Sequence, residues 1–191
     1  SVLPKELIVV DDGSEPAVGR GLFSQAPDHL ICHLLRVEKP NGASAARNLG
    51  VRKATGSYIA FLDDDDLFMT HKMEVLSRYI SENPNADVLY HPSEIFMVNE
   101  NIKYRSSIAE TGSENSLVRQ LIIRNVVGGT PMVTVKRSAM LQSGGFDEQL
   151  PALQDLELWI RLAREGFGFL FINEALTLCN YDTATKGVSM N

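Results

Sequence analysis

The chain has 191 residues, a length typical of one domain. Hydrophobic residues make up 44% of the sequence, enough to form a core, and this excludes an intrinsically disordered protein. The formal net charge of −6 argues against a nucleic-acid-binding protein, because such proteins carry clustered basic surfaces.

Nothing in the sequence is typical of a segment that crosses a membrane. No stretch approaches the roughly 18 apolar residues that a spanning helix needs, and no signal peptide is visible. Cys32 and Cys179 lie in apolar stretches and are predicted to be buried free thiols. We expect a soluble, cytoplasmic protein, and peripheral association with the inner face of the membrane is left open. Because the chain opens almost directly on a strand pattern, we expect its natural N-terminus upstream.

Strands and helices alternate in the first half of the chain. Short apolar runs that end in turn residues predict buried strands, and apolar residues at helical spacing predict helices. The predicted elements are strands at 6–10, 31–37, 58–62, 87–91 and 94–98, and helices at 44–55, with Ser44 as the N-cap, and at 71–83. This alternation indicates an α/β fold with a mostly parallel, mixed sheet flanked by helices.

The second half of the chain is less regular. Residues 103–115 are polar and predicted to form a loop, and residues 126–131 are broken by glycines. We expect acceptor contacts in these two segments. The remaining predicted elements are helices at 116–124, 138–143 and 153–165, and strands at 132–135, 169–172 and 176–179.

Two acidic clusters follow predicted strands. Asp11 and Asp12 come directly after the strand at 6–10, and the run Asp63–Asp66 follows the strand at 58–62. Ligands of open α/β sheets bind beyond the carboxyl ends of the strands. We therefore expect both clusters to lie at the edge of the sheet where a ligand binds.

The run Asp63–Asp66 places four carboxylates side by side after a fully apolar strand. A divalent cation would relieve their mutual repulsion, and Mg²⁺ or Mn²⁺ would take one or two carboxylates together with phosphate oxygens and water. The alternative is a solvated acidic loop that caps the helix near His71. The abrupt end of the apolar strand favours the cation site.

The segment Asp11-Asp12-Gly13-Ser14 has two interpretations. Gly13 permits a tight turn, and the carboxylates are able to accept hydrogen bonds from a base N–H or from ribose hydroxyls. A turn in which an aspartate caps the following segment is the alternative.

Arg47 and Asp155 also have two interpretations each. Arg47, early in a predicted helix, opposes the helix dipole, and a nearby anion would reverse that effect; the alternative is a surface arginine. Asp155, near the start of the helix at 153–165, is either a cap or a general base. Trp159 is predicted to pack in the core. Metal-ligand spacing is absent among the histidines, which are His29, His33, His71 and His91.

Five segments in order resemble family 2 glycosyltransferases of the GT-A fold. They are Val9–Ser14, Asn41–Gly50, Phe61–Asp66, Gly144–Glu148 and Gln154–Ala163. Each segment is weak alone, but their order and separations make the resemblance specific, from about Glu6 to Gly168. It implies a single GT-A domain over residues 1–191, with a nucleotide-binding half at about 1–100, an acceptor half at about 101–191, and the first strand of the family pattern missing.

The resemblance implies an inverting transfer, by single displacement, of a sugar from a nucleotide-diphosphate sugar to an acceptor hydroxyl. Its implied partners are the donor, with a UDP-sugar favoured, and a carbohydrate or lipid-linked acceptor. Asp155 is the implied catalytic base. The implied substrate-binding residues are Asp11, Asp12, Ser14, Asn41, Arg47, Asp63 and Asp64. Asp63 and Asp65 are the implied ligands of Mg²⁺ or Mn²⁺, and Asp66 is expected to be a bystander near the next helix.

The sequence departs from the family pattern in three further ways. Gln154 stands where the family often has Glu, Glu157 stands where it often has Asp, and residues 176–191 contain no histidine that could serve as a further metal ligand. These changes leave Asp155 in place, so they bear on donor preference more than on activity.

Three other functions compete with transfer. A phospho-receiver domain would use Asp11, Asp12, Asp63 and Lys136, but Lys136 lies far from Asp63 in the sequence. A phosphohydrolase would use Asp63 as nucleophile and Asp65 as acid, but Leu67 stands where a small hydroxylated residue is expected. The third alternative is a transferase-like domain that binds nucleotide without turning it over.

Overall fold

The computed structural model describes residues 4–108 and 114–183. Its strands are β1 Glu6–Asp11, β2 Ile31–Arg36, β3 Tyr58–Ala60, β4 Leu67–Phe68, β5 Val88–Tyr90, β6 Ser93–Met97, β7 Ile102–Arg105, β8 Val133–Lys136, β9 Phe169–Phe171 and β10 Thr177–Tyr181. Its helices are α1 Ala43–Lys53, α2 Lys72–Glu82, α3 Glu114–Ile123, α4 Arg137–Gln142 and α5 Gln154–Arg164, with single 3-10 turns at Arg20–Phe23 and Thr130–Met132.

The strands form three sheets, in the orders β1-β2, β4-β10-β6-β7 and β3-β8-β5-β9. The pairings β1–β2, β6–β10 and β5–β9 are parallel, and the other four pairings between described strands are antiparallel. The predicted mixed α/β architecture is therefore present, but parallel pairs do not dominate it. β8 runs antiparallel to both of its neighbours, β3 and β5, and β10 runs antiparallel to β4. Of these antiparallel pairs, only β6–β7 has a connection too short for a parallel crossover, which needs about a dozen residues.

Three local predictions were wrong. Residues 102–105 form β7, an exposed antiparallel edge strand, in a segment predicted to be a loop from residue 103; the part of that segment at 109–113 lies outside the described residues. Gly42, not Ser44, is the N-cap of α1. Gly42 has a φ of 87°, which glycine adopts at little cost, and Ser44 lies inside the first turn. Cys32 is only half-buried, whereas Cys179 is buried, and both thiols are free.

The sheet that contains β5 is covered on both faces. Val88 and Tyr90 belong to a core cluster with Trp159, and Leu89 between them belongs to a second cluster with Leu76. The alternation follows from the two-residue period of a strand. Trp159 is fully buried, which confirms the predicted core position. The first cluster also contains Leu158 and Leu162 of α5 and Val135 of β8, so it packs the helix that carries Asp155 against this sheet.

Asn48 of α1 fixes the loop that leads to α5. Its Oδ1 accepts a hydrogen bond from the Phe146 amide at 2.8 Å, and its Nδ2 donates to the Phe146 carbonyl at 2.8 Å and to Glu148 Oε1 at 2.9 Å. Gly145 has a φ of 77°, and a Cβ there would collide with Asn48 Oδ1. The glycine is therefore required both by its backbone conformation and by the close approach of Asn48.

The Asn48 contacts predict a stability effect. In Asn48→Ala, the buried amide and carbonyl of Phe146 lose their partner, so we expect a loss of about 1–3 kcal/mol in the free energy of unfolding. Urea denaturation measures it. Asn173→Ala is the matched control, because Asn173 is exposed and makes a hydrogen bond to Arg105 at the surface; its change should stay within about 0.5 kcal/mol. Equal losses in the two variants would contradict the role of Asn48.

Candidate active site

The aspartates that follow β3 do not share one environment. Asp63 is half-buried, Asp64 and Asp65 are exposed, and Asp66 is buried. The amide of Asn180, on β10, donates to Asp66 Oδ1 at 3.0 Å, and Asn180 Nδ2 donates to the Asp65 carbonyl at 2.5 Å. Burial raises the pKa of Asp66. Asp66 is therefore not a bystander near the next helix, because it joins the acidic run to β10.

Asp63 lies between two residues from distant segments. Arg47 Nη2, from α1, donates to Asp63 Oδ1 at 2.6 Å, and Thr130 Oγ1 donates to Asp63 Oδ2 at 3.4 Å. The Arg47 guanidinium also lies over the Phe146 ring, 5.8 Å from its centroid. A partly exposed ion pair of this kind contributes at most about 1 kcal/mol to stability. Its main effect is to orient the Asp63 carboxylate.

Asp155 faces the same site from the first turn of α5. Its Oδ1 accepts a hydrogen bond from the Leu156 amide at 2.8 Å. Burial raises the pKa of Asp155, while the charge of Arg47 lowers it and the charge of Asp63 raises it. Asp155, Arg47 and Asp63 are thus close enough to influence one another electrostatically. A raised pKa suits a carboxyl to general-base chemistry, because a base is most effective when its pKa lies close to the operating pH.

The segment before β8 approaches both carboxylates. A Cβ added at Gly129 would lie 3.9 Å from Asp155 Oδ2, so the backbone passes close to this carboxylate. Trp159, one turn after Asp155, donates from Nε1 to the Gly128 carbonyl at 2.9 Å. Thr130 reaches Asp63 from the same segment. Residues 128–131, which we call the site turn, therefore contact both carboxylates or their immediate supports.

Asp11 and Asp12 organise the loop after β1. Asp11 is buried, and its carboxylate accepts hydrogen bonds from the Ser14 amide at 2.8 Å and the Val18 amide at 3.0 Å and pairs with Arg36. The hydrogen bond from Ser14 is the main reason that the pKa of Asp11 is lowered. These contacts give Asp11 a structural role, and only Asp12 of the pair reaches the surface.

The Asp12 carboxylate connects that loop to the start of α1. It accepts hydrogen bonds from the Asn41 amide at 3.0 Å and the Gly42 amide at 2.8 Å. Asn41 and Ser14 are both exposed. This group lies about one helical turn before Arg47 along α1, so the helix links it to the carboxylate site.

Metal ligands are sparse in the part of the chain that the structure describes. No group of three or more His, Cys, Asp or Glu residues is placed to hold a metal ion there. Asp63 and Asp65 supply one half-buried and one exposed carboxylate, two residues apart. A cation at these two carboxylates would complete its shell with oxygens from a bound ligand and water, which is the usual arrangement of Mg²⁺ beside phosphates. The donor set therefore fits a hard divalent cation.

Two residues of the site were missed from the sequence. Thr130 lies in the glycine-broken segment, where no pattern distinguishes it. Lys72 is fully buried below the site turn. It had a detectable signal: Lys72, Val75, Leu76 and Tyr79 recur at i, i+3, i+4 and i+7, which places the lysine on the buried face of α2.

Comparison with known proteins identifies the family. Residues 1–148 match the family described as Glycosyl transferase family 2. The chain belongs to that family. It is 35% identical over 185 residues to an uncharacterized glycosyltransferase of Haemophilus influenzae, and 27% identical over 187 residues to the amylovoran biosynthesis glycosyltransferase AmsB of Erwinia amylovora. The alignments cover 96% and 95% of this chain but only 61% of each relative, so the chain spans about three fifths of their length.

Solved structures of other proteins share the fold of this family 2 chain. The crystal structure of S. aureus TarS in complex with UDP-GlcNAc superposes with a TM-score of 0.76 at 20% identity, covering 99% of this chain and 54% of that one. The likeness confirms the predicted GT-A fold. It leaves no place for the phospho-receiver alternative, and Lys136 pairs with Asp87 rather than Asp63.

No helix within residues 4–108 and 114–183 combines the length and the apolar character that crossing a membrane requires.

The charges around Asp155 predict how its carboxyl titrates. In Arg47→Met, the pKa of Asp155 should rise, because the cation that lowers it is gone. In Asp63→Asn, it should fall, because the anion that raises it is neutral. Carbon-13 NMR of the aspartate carboxyls measures both shifts without substrate. Asp87→Asn is the control, since Asp87 pairs with Lys136 elsewhere. Shifts of the same sign in the two site variants would contradict this geometry.

Proposed function

We propose that this chain is the catalytic domain of an inverting glycosyltransferase that moves a sugar from a nucleotide-diphosphate sugar to an acceptor hydroxyl. The observation that carries the proposal is the placement of Asp155 beside the Arg47–Asp63 pair, at the carboxyl ends of the strands of a family 2 chain. Polysaccharide or glycoconjugate synthesis fits the relatives, since AmsB is named for amylovoran biosynthesis.

In the proposed reaction, Asp155 acts as the general base. Its ionised carboxylate takes the proton of the acceptor hydroxyl while that oxygen forms a bond to the anomeric carbon of the donor sugar. The bond from the anomeric carbon to the diphosphate breaks in the same step, and the nucleoside diphosphate leaves with the electron pair. Attack opposite to the leaving group inverts the anomeric centre. A base held next to the attacking oxygen typically contributes about 10²–10⁴-fold in rate.

The proposed donor site lies between the loop after β1 and the aspartate run. Asp12, Ser14 and Asn41 are proposed to contact the base or ribose, and Arg47, Asp63 and Asp64 to lie near the ribose and diphosphate. A UDP-sugar is the favoured donor, supported by the UDP-GlcNAc complex of S. aureus TarS, whose fold covers nearly the whole chain. The proposed nucleotide-binding half is about residues 1–100, and the proposed acceptor half is about residues 101–191.

Asp63 and Asp65 are proposed to hold Mg²⁺ or Mn²⁺. The ion, when bound, would balance negative charge on the departing diphosphate. Arg47 and Thr130 donate hydrogen bonds that orient the Asp63 carboxylate. Asn180 donates a hydrogen bond to the Asp65 backbone carbonyl, and the Asp65 side chain is exposed. A cytoplasmic location and a carbohydrate or lipid-linked acceptor stay as predictions from the sequence.

Donor binding is tested by thermal shift of the full-length protein with UDP, GDP and dTDP, each with and without Mn²⁺. We expect UDP with Mn²⁺ to raise the melting temperature most, because the ion needs both the aspartates and the diphosphate. Asp63→Asn should remove the dependence on Mn²⁺. If no nucleoside diphosphate changes the melting temperature, the donor site is wrong.

The base is tested with Asp155→Asn. This variant keeps the shape of the side chain but cannot accept the proton, so kcat should fall about 10²–10⁴-fold with donor affinity nearly unchanged. Glu165→Gln is the matched control, an exposed carboxylate at the other end of the same helix. Retained turnover in Asp155→Asn would remove Asp155 as base. Intact nucleotide binding without turnover in the wild-type chain would favour the non-catalytic alternative.

The same assay has a predicted pH dependence. Only the ionised form of Asp155 is able to take a proton, so kcat/KM falls as the pH drops through its pKa. Because burial raises that pKa above the ordinary value of 3.8, the acid limb of the profile should lie above the limb of an exposed aspartate. A profile that is flat down to pH 4 would contradict the assignment.

A further inference from the structure

Lys72 is a buried lysine at the start of α2. Its side chain is fully buried, which is rare for lysine unless the charge is paired. Its Nζ donates to the Pro131 carbonyl and to Thr177 Oγ1, both at 2.9 Å, and lies 3.8 Å from the centroid of the Phe68 ring. Burying an ammonium group costs free energy, and an apolar residue would fill the same space without that cost. Packing alone therefore does not explain why a lysine occupies this position.

The contacts of Lys72 end on the site turn. Pro131 is its last residue, and Thr177 Oγ1 also donates to the Pro131 carbonyl, at 2.8 Å. On the other side of the same turn, Thr130 contacts Asp63 and the Gly129 backbone passes Asp155. The site turn thus accepts a hydrogen bond from the Lys72 ammonium group, donates one to Asp63 through Thr130, and passes close to Asp155 at Gly129.

Lys72 is also tied to the acidic run. Only six positions separate it from Asp66, whose charge raises the pKa of Lys72, although burial is the larger effect and lowers that pKa to about 7. His91 is fully buried nearby, and burial lowers its pKa to about 3, with the charge of Lys72 as the next cause. The histidine is therefore neutral, and Lys72 is the group whose hydrogen bonds reach the site turn and Thr177.

We propose that Lys72 is a positioning residue, whose ammonium group fixes the site turn. The turn, through Thr130 to Asp63 and through Gly128 to Trp159 on the helix of Asp155, then keeps the two carboxylates in register for transfer. This role rests on the proposed function, because register matters only if both carboxylates act in one reaction. An apolar side chain would fill the volume but would not fix the turn, because packing lacks the directionality of two hydrogen bonds to defined oxygens.

The test is Lys72→Met in the full-length protein. Methionine fills similar space without donors. Misplacing a reacting group by about 1 Å costs on the order of 10²-fold in rate, so we expect kcat to fall about tenfold or more with little change in the KM for the donor. A purely structural role would instead lower the folded fraction, which circular dichroism and thermal unfolding measure separately.

Trp159 provides a readout that needs no substrate. It is the only tryptophan in the chain, and its Nε1 donates to the Gly128 carbonyl in the site turn. Displacement of the turn in Lys72→Met should shift Trp159 emission to longer wavelength and increase its quenching by acrylamide. If no donor supports turnover in the wild type, the proposed function fails, but this measurement still tests the positioning role.

Lys136→Met is the matched control. Lys136 also donates to a proline carbonyl, that of Pro84 at 3.5 Å, and pairs with Asp87, but it lies at the end of β8 away from the site turn. We expect kcat and Trp159 emission to remain at wild-type values in this variant. Equal losses in the two lysine variants would show general destabilisation and would overturn the proposal.

Thr177→Val keeps the proposal falsifiable if Lys72→Met does not fold. The valine removes the hydroxyl that Lys72 donates to while keeping the shape of the side chain and the bond from Lys72 to Pro131. We expect a smaller fall in kcat and a smaller shift in Trp159 emission than in Lys72→Met. A folded Lys72→Met or Thr177→Val protein with wild-type kcat and wild-type Trp159 fluorescence overturns the positioning role.

Discussion

The site depends on the ion pair between Arg47 and Asp63. Burial and the negative charge of Asp63 both raise the pKa of Asp155, and a nearby cation opposes these two effects. Arg47 donates to Asp63 and lowers the pKa of Asp155 at the same time. One guanidinium group therefore orients the Asp63 carboxylate and favours the ionised form of Asp155.

The position of Arg47 depends in turn on its neighbour in the chain. The Asn48 side chain is hydrogen-bonded to the backbone amide and carbonyl of Phe146, and the Arg47 guanidinium lies over the Phe146 ring. Phe146 also makes edge contacts with Phe61 and Trp159, at centroid distances of 5.4 and 6.4 Å. Consecutive residues of one helix thus connect the charged surface of the site to the aromatic core beneath it.

Residues that carry the family pattern could be predicted from the sequence. Two of these segments have a clear local pattern: an apolar strand precedes Asp63, and Asp155 stands near the start of a helix. The order of the segments along the chain then indicates the GT-A fold. The roles of Asp11 and Asp66 could not be predicted in this way. Both are aspartates beside others of the same kind, and their neighbours decide their roles: Arg36 is 25 positions away, and Asn180 is 114 positions away.

The four aspartates of the acidic run differ in exposure and pairing, and this difference affects how a charged ligand would approach them. Asp63 is paired with Arg47 and half-buried, and Asp66 is buried, so Asp64 and Asp65 are the two aspartates of the run with exposed side chains. A diphosphate of the proposed donor would therefore meet a weaker negative potential at the strand ends than four adjacent exposed aspartates would produce. A divalent cation bound to that diphosphate would weaken the repulsion further, because it cancels part of the negative charge of the ligand.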